Sequence, residues 1–128
     1  MKAILIDVKN QEIREIEHDG RLETFYKYIE CDVFTVPVQL ENGDALYIDD
    51  ESLLKSAESV PGAFLFQAYP TQPLFGHGII LGTSDEGESQ DTRSKLSEIR
   101  RMVTFLNPDQ VLLQHAEIAA RPIQIYFE

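Results

Sequence analysis

The sequence predicts an α+β fold, a mainly antiparallel sheet with helices packed on one face. Three observations carry this. Apolar runs of strand length recur along the chain, each closed by a turn signal. One of those turns, Asn42-Gly43, is the strongest short-range sign of a β-hairpin. Helical periodicity is confined to a few segments, the clearest at residues 92–106. The 128 residues, 43% of them apolar, suit one domain that buries roughly two-thirds of its unfolded surface.

Taken in order, "AILIDV" (3–8) is apolar and β-branched enough for a buried strand. "EIREIEH" (12–18) pairs back as a second strand or forms a helical turn, because Ile13 and Ile16 are three apart. "RLETFYKYI" (21–29) spaces Leu22, Phe25, Tyr26 and Ile29 for a helix, with Asp19 available as N-cap. "DVFTVPVQL" (32–40) is a strand whose Pro37 requires an edge or a bulge. Asn42-Gly43, in a type I′ turn, returns it as "ALYI" (45–48). "DDESLLK" (49–55) reads as a cap and a short helical turn.

"AFLFQAY" (63–69) is a strand, "PTQP" a turn and "HGIILG" (77–82) another strand. "TSDEGESQD" (83–91) is a solvated acidic loop. "TRSKLSEIRRMVTFL" (92–106) sets Leu96, Ile99, Met102, Val103 and Leu106 at helical spacing. Pro108 opens a second helix over 108–120, and "RPIQIYFE" (121–128) alternates as a final strand. The one domain, 1–128, thus has a core at 1–83, an acidic loop at 84–91 and a helical and strand addition at 92–128.

Charge is unevenly placed. The formal net charge is −11; between Tyr28 and Thr92 stand twelve acids and one base, Lys55. Such a middle repels phosphates, which argues against direct nucleic-acid binding. It offers instead an acidic interaction surface, Asp49, Asp50, Glu51, Asp85, Glu86 and Glu88, for a basic partner protein. The opening "MKAILIDVKNQEI" is too short and too polar for a signal peptide or a membrane span, so a soluble, cytoplasmic protein is expected.

Catalytic and metal chemistry is sparse. His18, His77 and His115 match no ligand spacing, so no metal and no cofactor are expected. Cys31, the single cysteine, sits between Glu30 and Asp32, which oppose its thiolate. The glycines at 76, 78 and 82 fit no phosphate loop; they mark the ends of a strand and, at Gly78, a bulge or a close neighbour. The anion candidates are Arg93, Arg100 and Arg101, with Arg121 joining from the last strand; a helix over 92–106 would align Arg93, Ser97, Arg100 and Thr104 on one face. Tyr26, Tyr28, Tyr47, Phe66 and Tyr69 offer stacking surfaces.

Tyr28-Ile29-Glu30 before a strand, the segment Leu46 to Glu51, and the strand from Gly76 to Gly82 together resemble a family of small proteins of unknown function from phages, plasmids and conjugative elements. The resemblance covers roughly residues 1–83; Ser52 stands where that family usually has glycine. It implies a non-enzymatic accessory protein of a mobile element, one that counters host defences, with no catalytic residue to carry over. Three functions follow as expectations. The first is a non-enzymatic binder of a basic host protein through the acidic surface. The second is a sponge for a small nucleotide signal, held by arginines and aromatics. The third and weakest is a nucleotide hydrolase, because nothing assembles a nucleophile, base and orienter. Exposed strand edges such as that of Pro37 suggest a homodimer or other homo-oligomer.

Overall fold

In the computed structural model, which describes residues 1–120, the chain is α+β with antiparallel sheets. β1 (Lys2–Asp7) and β2 (Glu12–Glu17) form a hairpin, which settles residues 12–17 as strand. α1 (Leu22–Ile29) follows, then the hairpin β3 (Phe34–Gln39) and β4 (Asp44–Asp49). β5 (Ala63–Phe66), β6 (Tyr69–Phe75), β7 (Gly78–Thr83) and β8 (Ser89–Gln90) come next. α2 (Leu96–Met102), β9 (Val103–Phe105) and α3 (Pro108–Ala120) complete the described residues. The strand expected over 121–128, and Arg121 with it, lie outside them.

The strands form two sheets. The larger runs β2-β1-β7-β4-β3, with β8 paired to the end of β7; the smaller runs β6-β5-β9. β7 is buried throughout its apolar stretch because it is central and covered on both faces. Alternation along β1 divides the core. Ile4 and Ile6 point with Leu46, Ile48 and Ile80 toward Phe64, Phe66 and Leu74 of the small sheet and Ile99 of α2. Ala3 and Leu5 point the other way, with Ile79 and Leu81, onto Phe25 and Ile29 of α1. The helical cover expected on one face is therefore divided: α1 lies on one side, the small sheet and α2 on the other. α3 lies beyond the small sheet, where Val111 and Ile118 pack on Ala63 and Phe75.

Several local expectations change. Gly43 has φ 94° and its N–H donates to the Leu40 carbonyl at 3.0 Å, while Asn42 is not in the left-handed region. The β3–β4 turn is thus a type I turn closed by a bulged glycine, not type I′. Residues 50–54 form turns rather than a helix, because Asp49 Oδ1 caps the Glu51 N–H at 2.9 Å and closes the chain locally. "PTQP" is not a turn but the middle of β6. Its two prolines are tolerated because β6 is an edge strand, where a missing N–H costs no ladder bond.

The largest change is at residues 92–106. The helix starts only at Leu96 and stops at Met102; Val103 is extended, φ −109° and ψ 133°. Val103, Thr104 and Phe105 are β-branched or aromatic, and they pair with Phe66, Leu65 and Phe64 of β5. Val103 and Leu106 continue the helical spacing of Leu96, Ile99 and Met102, so periodicity alone does not find the change. Among the glycines, Gly82 answers the question of close approach: a Cβ there would lie 2.2 Å from the Asp91 carbonyl oxygen. Gly78 has Leu46 and Phe64 side chains within 3.3 Å of the same point.

Candidate functional site

The three described candidate arginines do not share a pocket. Arg93 precedes α2, and its guanidinium donates to the Asn42 and Thr83 carbonyls at 3.2 and 3.4 Å. Its backbone N–H is held by Asp44, a fully buried carboxylate. Asp44 also accepts from the Thr92 and Ser94 hydroxyls, both at 2.6 Å, and from the Ser94 N–H at 2.9 Å. Burial pushes this carboxyl up, but the hydrogen bonds from Ser94, Thr92 and Arg93 outweigh burial and hold it below the ordinary range. Asp44 fixes the entry to α2.

Arg100 is a clasp. Met1 and His18 exchange both backbone bonds, so Ile13, an odd number of steps away, turns its carbonyl out from the β2 edge. Leu106 N–H to Ala63 and Gln67 N–H to Met102 likewise leave Val103 and Phe105 facing away from β5. The edges of the two sheets meet across a hollow of about 500 Å³, and Arg100 crosses it to donate to the Ile13 carbonyl at 3.0 Å. The one-faced array of Arg93, Ser97, Arg100 and Thr104 does not form, because Arg93 and Thr104 lie outside the helix.

The acidic candidates also divide. Ile48 pairs with Gly78 and Gly82 with Gln90, so Asp49, Asp50 and Glu51 lie at one end of β7 and Asp85, Glu86 and Glu88 beyond the other. Six residues of strand separate the two groups by about 17 Å. Asp49 is buried and accepts from Lys55 Nζ, which raises the Lys55 pKa. Asp50, Asp85, Glu86 and Glu88 are exposed and Glu51 is half-buried.

A polar cluster that the sequence reading missed stands at the Asp49 end. His77 is buried; its Nδ1 accepts the Val8 N–H at 3.2 Å, its Nε2 lies 2.7 Å from Glu30 Oε2, and Asp7 Oδ1 is 3.6 Å away. Glu30, at the C-cap of α1, has φ 61°, a left-handed conformation uncommon outside glycine, asparagine and aspartate. Asp7 accepts from Asn10 through backbone and side chain and from Arg14 at 3.0 Å. Burial pushes Asp7 up, but these bonds from Asn10 and Arg14, with His77 near, hold it down at about 2. Close by, burial first and Asp49 second push the Cys31 thiol up to about 11, so it stays protonated as its acidic neighbours led one to expect. No linear motif joins Asp7, Glu30 and His77; only the antiparallel pairing of β1 with β7, and the end of α1 above it, does so.

The other histidines are internal. His18 Nδ1 accepts the Gly20 N–H at 2.9 Å, its ring lies 4.3 Å from Phe25, and burial lowers its pKa. His115 Nε2 lies 2.9 Å from the Ser52 carbonyl and its ring meets Phe75 edge-on. Among the described residues, no group of three His, Cys, Asp or Glu side chains is placed to hold a metal ion, and no helix is long and apolar enough to cross a membrane.

Arg101 is different from its neighbours: it makes no hydrogen bond or ion pair among the described residues, and it borders a groove of about 730 Å³. The groove is the part of the small sheet's outer face that α3 leaves open. α3 covers Ala63 and Phe75, whereas Leu65, Thr104 and Pro73 form the floor. Tyr69 and Gln72 come from β6, Gln110 and Gln114 from α3, and Gln67 from the turn after β5. Among the described residues no acid lines it, in a chain with 22 of them. Four other hollows each carry at least one: Glu12 in the first; Glu41 and Glu98 in the second; Glu58 in the third; Asp7 and Glu30 in the fourth.

Residues 1–104 match the model of a domain of unknown function, DUF3846, and the chain belongs to that family. The matched range runs past residue 83 through α2 to Thr104, so it holds Arg101, β5 and β6 but not α3. No curated protein and no solved structure matches the chain.

Proposed function

We propose that this DUF3846 protein is a non-enzymatic binding protein that holds a small anionic ligand in the groove of the small sheet. One observation carries the reading: among the described residues, the groove joins an unpartnered guanidinium, that of Arg101, to a lining without a single acid. In a protein of net charge −11, an anion meets repulsion over most of the surface, and this is where it is relieved. The volume is within the range of small-molecule sites.

Among the described residues, the lining also has no histidine, cysteine or carboxylate to act as base or nucleophile. This ranks binding above hydrolysis. Docking of a basic host protein ranks second, because the exposed acids stand in two groups rather than on one surface. The setting we assign is the cytoplasm, as an accessory protein of a phage or other mobile element whose target is host defence. That setting rests on the resemblance in the first two-thirds of the chain. A homo-oligomer is part of the same reading, although the edges of the sheets are blunted by charge on β2, a bulge and Pro37 on β3, and prolines on β6.

The test is a thermal-shift panel of phosphate-, sulfate- and carboxylate-bearing small molecules. We expect at least one to raise the melting temperature of the wild-type protein, as binding to the folded state requires, and Arg101→Ala to abolish the rise. A flat response across the panel sinks the proposal.

A further inference from the structure

We propose that the ligand of this groove is an adenine nucleotide with a single phosphate, bound without a metal ion. This rests on the reading of the groove as an anion site and narrows which anion it takes.

The charge count comes first. Arg101 is the one Lys or Arg among the described residues of the lining. A guanidinium pairs its planar fork with one phosphate. A second and third phosphate are ordinarily balanced by Mg²⁺, which is held through carboxylates as well as phosphate oxygens. The described lining supplies no carboxylate and no second cation, so a polyphosphate finds neither counter-charge nor metal ligands among those residues.

The rest of the wall suits a base. Tyr69 borders the groove but packs with Phe66 against the main core, so the base would be read by polar groups. The side-chain amides of Gln67, Gln72 and Gln114 make no hydrogen bond among the described residues, so each keeps a free carbonyl and a free NH₂. That donor–acceptor pair is complementary to the N6 and N7 edge of adenine. Gln110 is partly committed: its Oε1 accepts the Asn107 N–H at 2.9 Å in the capping box of α3, and its NH₂ remains. The phosphate is a monoester or a cyclic diester; both present one anionic group to Arg101.

The experiment is titration calorimetry on the full chain with AMP, cyclic AMP, ATP with Mg²⁺, UMP, adenosine and inorganic phosphate, each with and without EDTA. We expect AMP or cyclic AMP to bind about tenfold or more tighter than the other four, unchanged by EDTA. Arg101→Ala should weaken that binding about tenfold or more, and Gln114→Ala several-fold, while Arg100→Ala leaves it unchanged. The arms with AMP and cyclic AMP separate monoester from diester. Equal or tighter binding of ATP with Mg²⁺, loss in EDTA, equal binding of adenosine or UMP, or indifference to Arg101→Ala overturns the inference. If sulfates or carboxylates bind through Arg101 and nucleotides do not, this inference falls and the anion site stands. If no anion binds, both fall.

Discussion

The His77 end of the large sheet and the groove of the small sheet use similar polar side chains to opposite ends. Around His77, nearly every donor meets an acceptor: Asp7 takes Asn10 and Arg14, His77 takes Val8 and Glu30, and Asp49 takes Lys55. Around Arg101, the guanidinium and three glutamine amides meet nothing among the described residues. Buried polar groups that are satisfied within the chain specify a structure. Exposed ones that converge without partners are available to a ligand. The lesson is that the densest cluster of titratable groups in a protein need not be its site.

The comparison predicts large stability effects from the satisfied groups and small ones from the groove. Asp44→Ala should be the most severe, costing about 3 kcal/mol or more in urea unfolding, because it strands two hydroxyls and two backbone N–H groups around a buried position. A loss below about 1 kcal/mol would mean that water replaces the carboxylate. Asp7 comes next and shows itself through pH. Its carboxyl titrates at about 2 in the folded chain against 3.8 in the unfolded one. The stabilisation is therefore fully present above pH 3.8 and is lost as pH falls toward 2; by linkage it amounts to about 2 kcal/mol. Asp7→Asn should flatten acid unfolding in that window, and an unchanged acid limb would remove Asp7 from the account.

Arg100→Ala should cost about 1 kcal/mol by opening the clasp to Ile13. Arg101→Ala, one residue on, should change stability by less than about 0.5 kcal/mol. Equal losses from the two adjacent arginines, measured by thermal unfolding without ligand, would erase the distinction between the partnered and the unpartnered region.

Elements set by local chemistry were legible in the sequence. β1 and β7 stand out as apolar runs, α1 by its Phe25 and Ile29 spacing, α3 by Pro108, and the β3–β4 hairpin by Asn42-Gly43. Elements set by tertiary pairing were not. β9 is a strand because β5 offers an edge beside it, and β6 passes through two prolines because nothing pairs on its far side. The site was less legible still. Arg101 was visible as one of a basic group, but its freedom depends on Arg93 and Arg100 being engaged elsewhere. Gln67, Gln72, Gln110 and Gln114 carry no local signal, since a glutamine on a surface helix or turn is ordinary until four of them face one hollow. Asp44 and Ser94 are 50 residues apart and His77 and Val8 are 69 apart, distances over which periodicity is silent.

One jaw of the groove lies inside the family match and the other beyond it. Arg101, Tyr69 and the sheet floor belong to the family domain; Gln110 and Gln114 belong to a helix that begins four residues after the match ends at residue 104. The short link through Leu106 and Asn107 is thus the place to exchange the second jaw. Grafting a different amphipathic helix there, with the inward Val111, His115 and Ile118 kept, would re-tune what the cleft selects while the charge-reading jaw stays as it is. Selectivity and affinity for the anion would then be separately adjustable in one small protein.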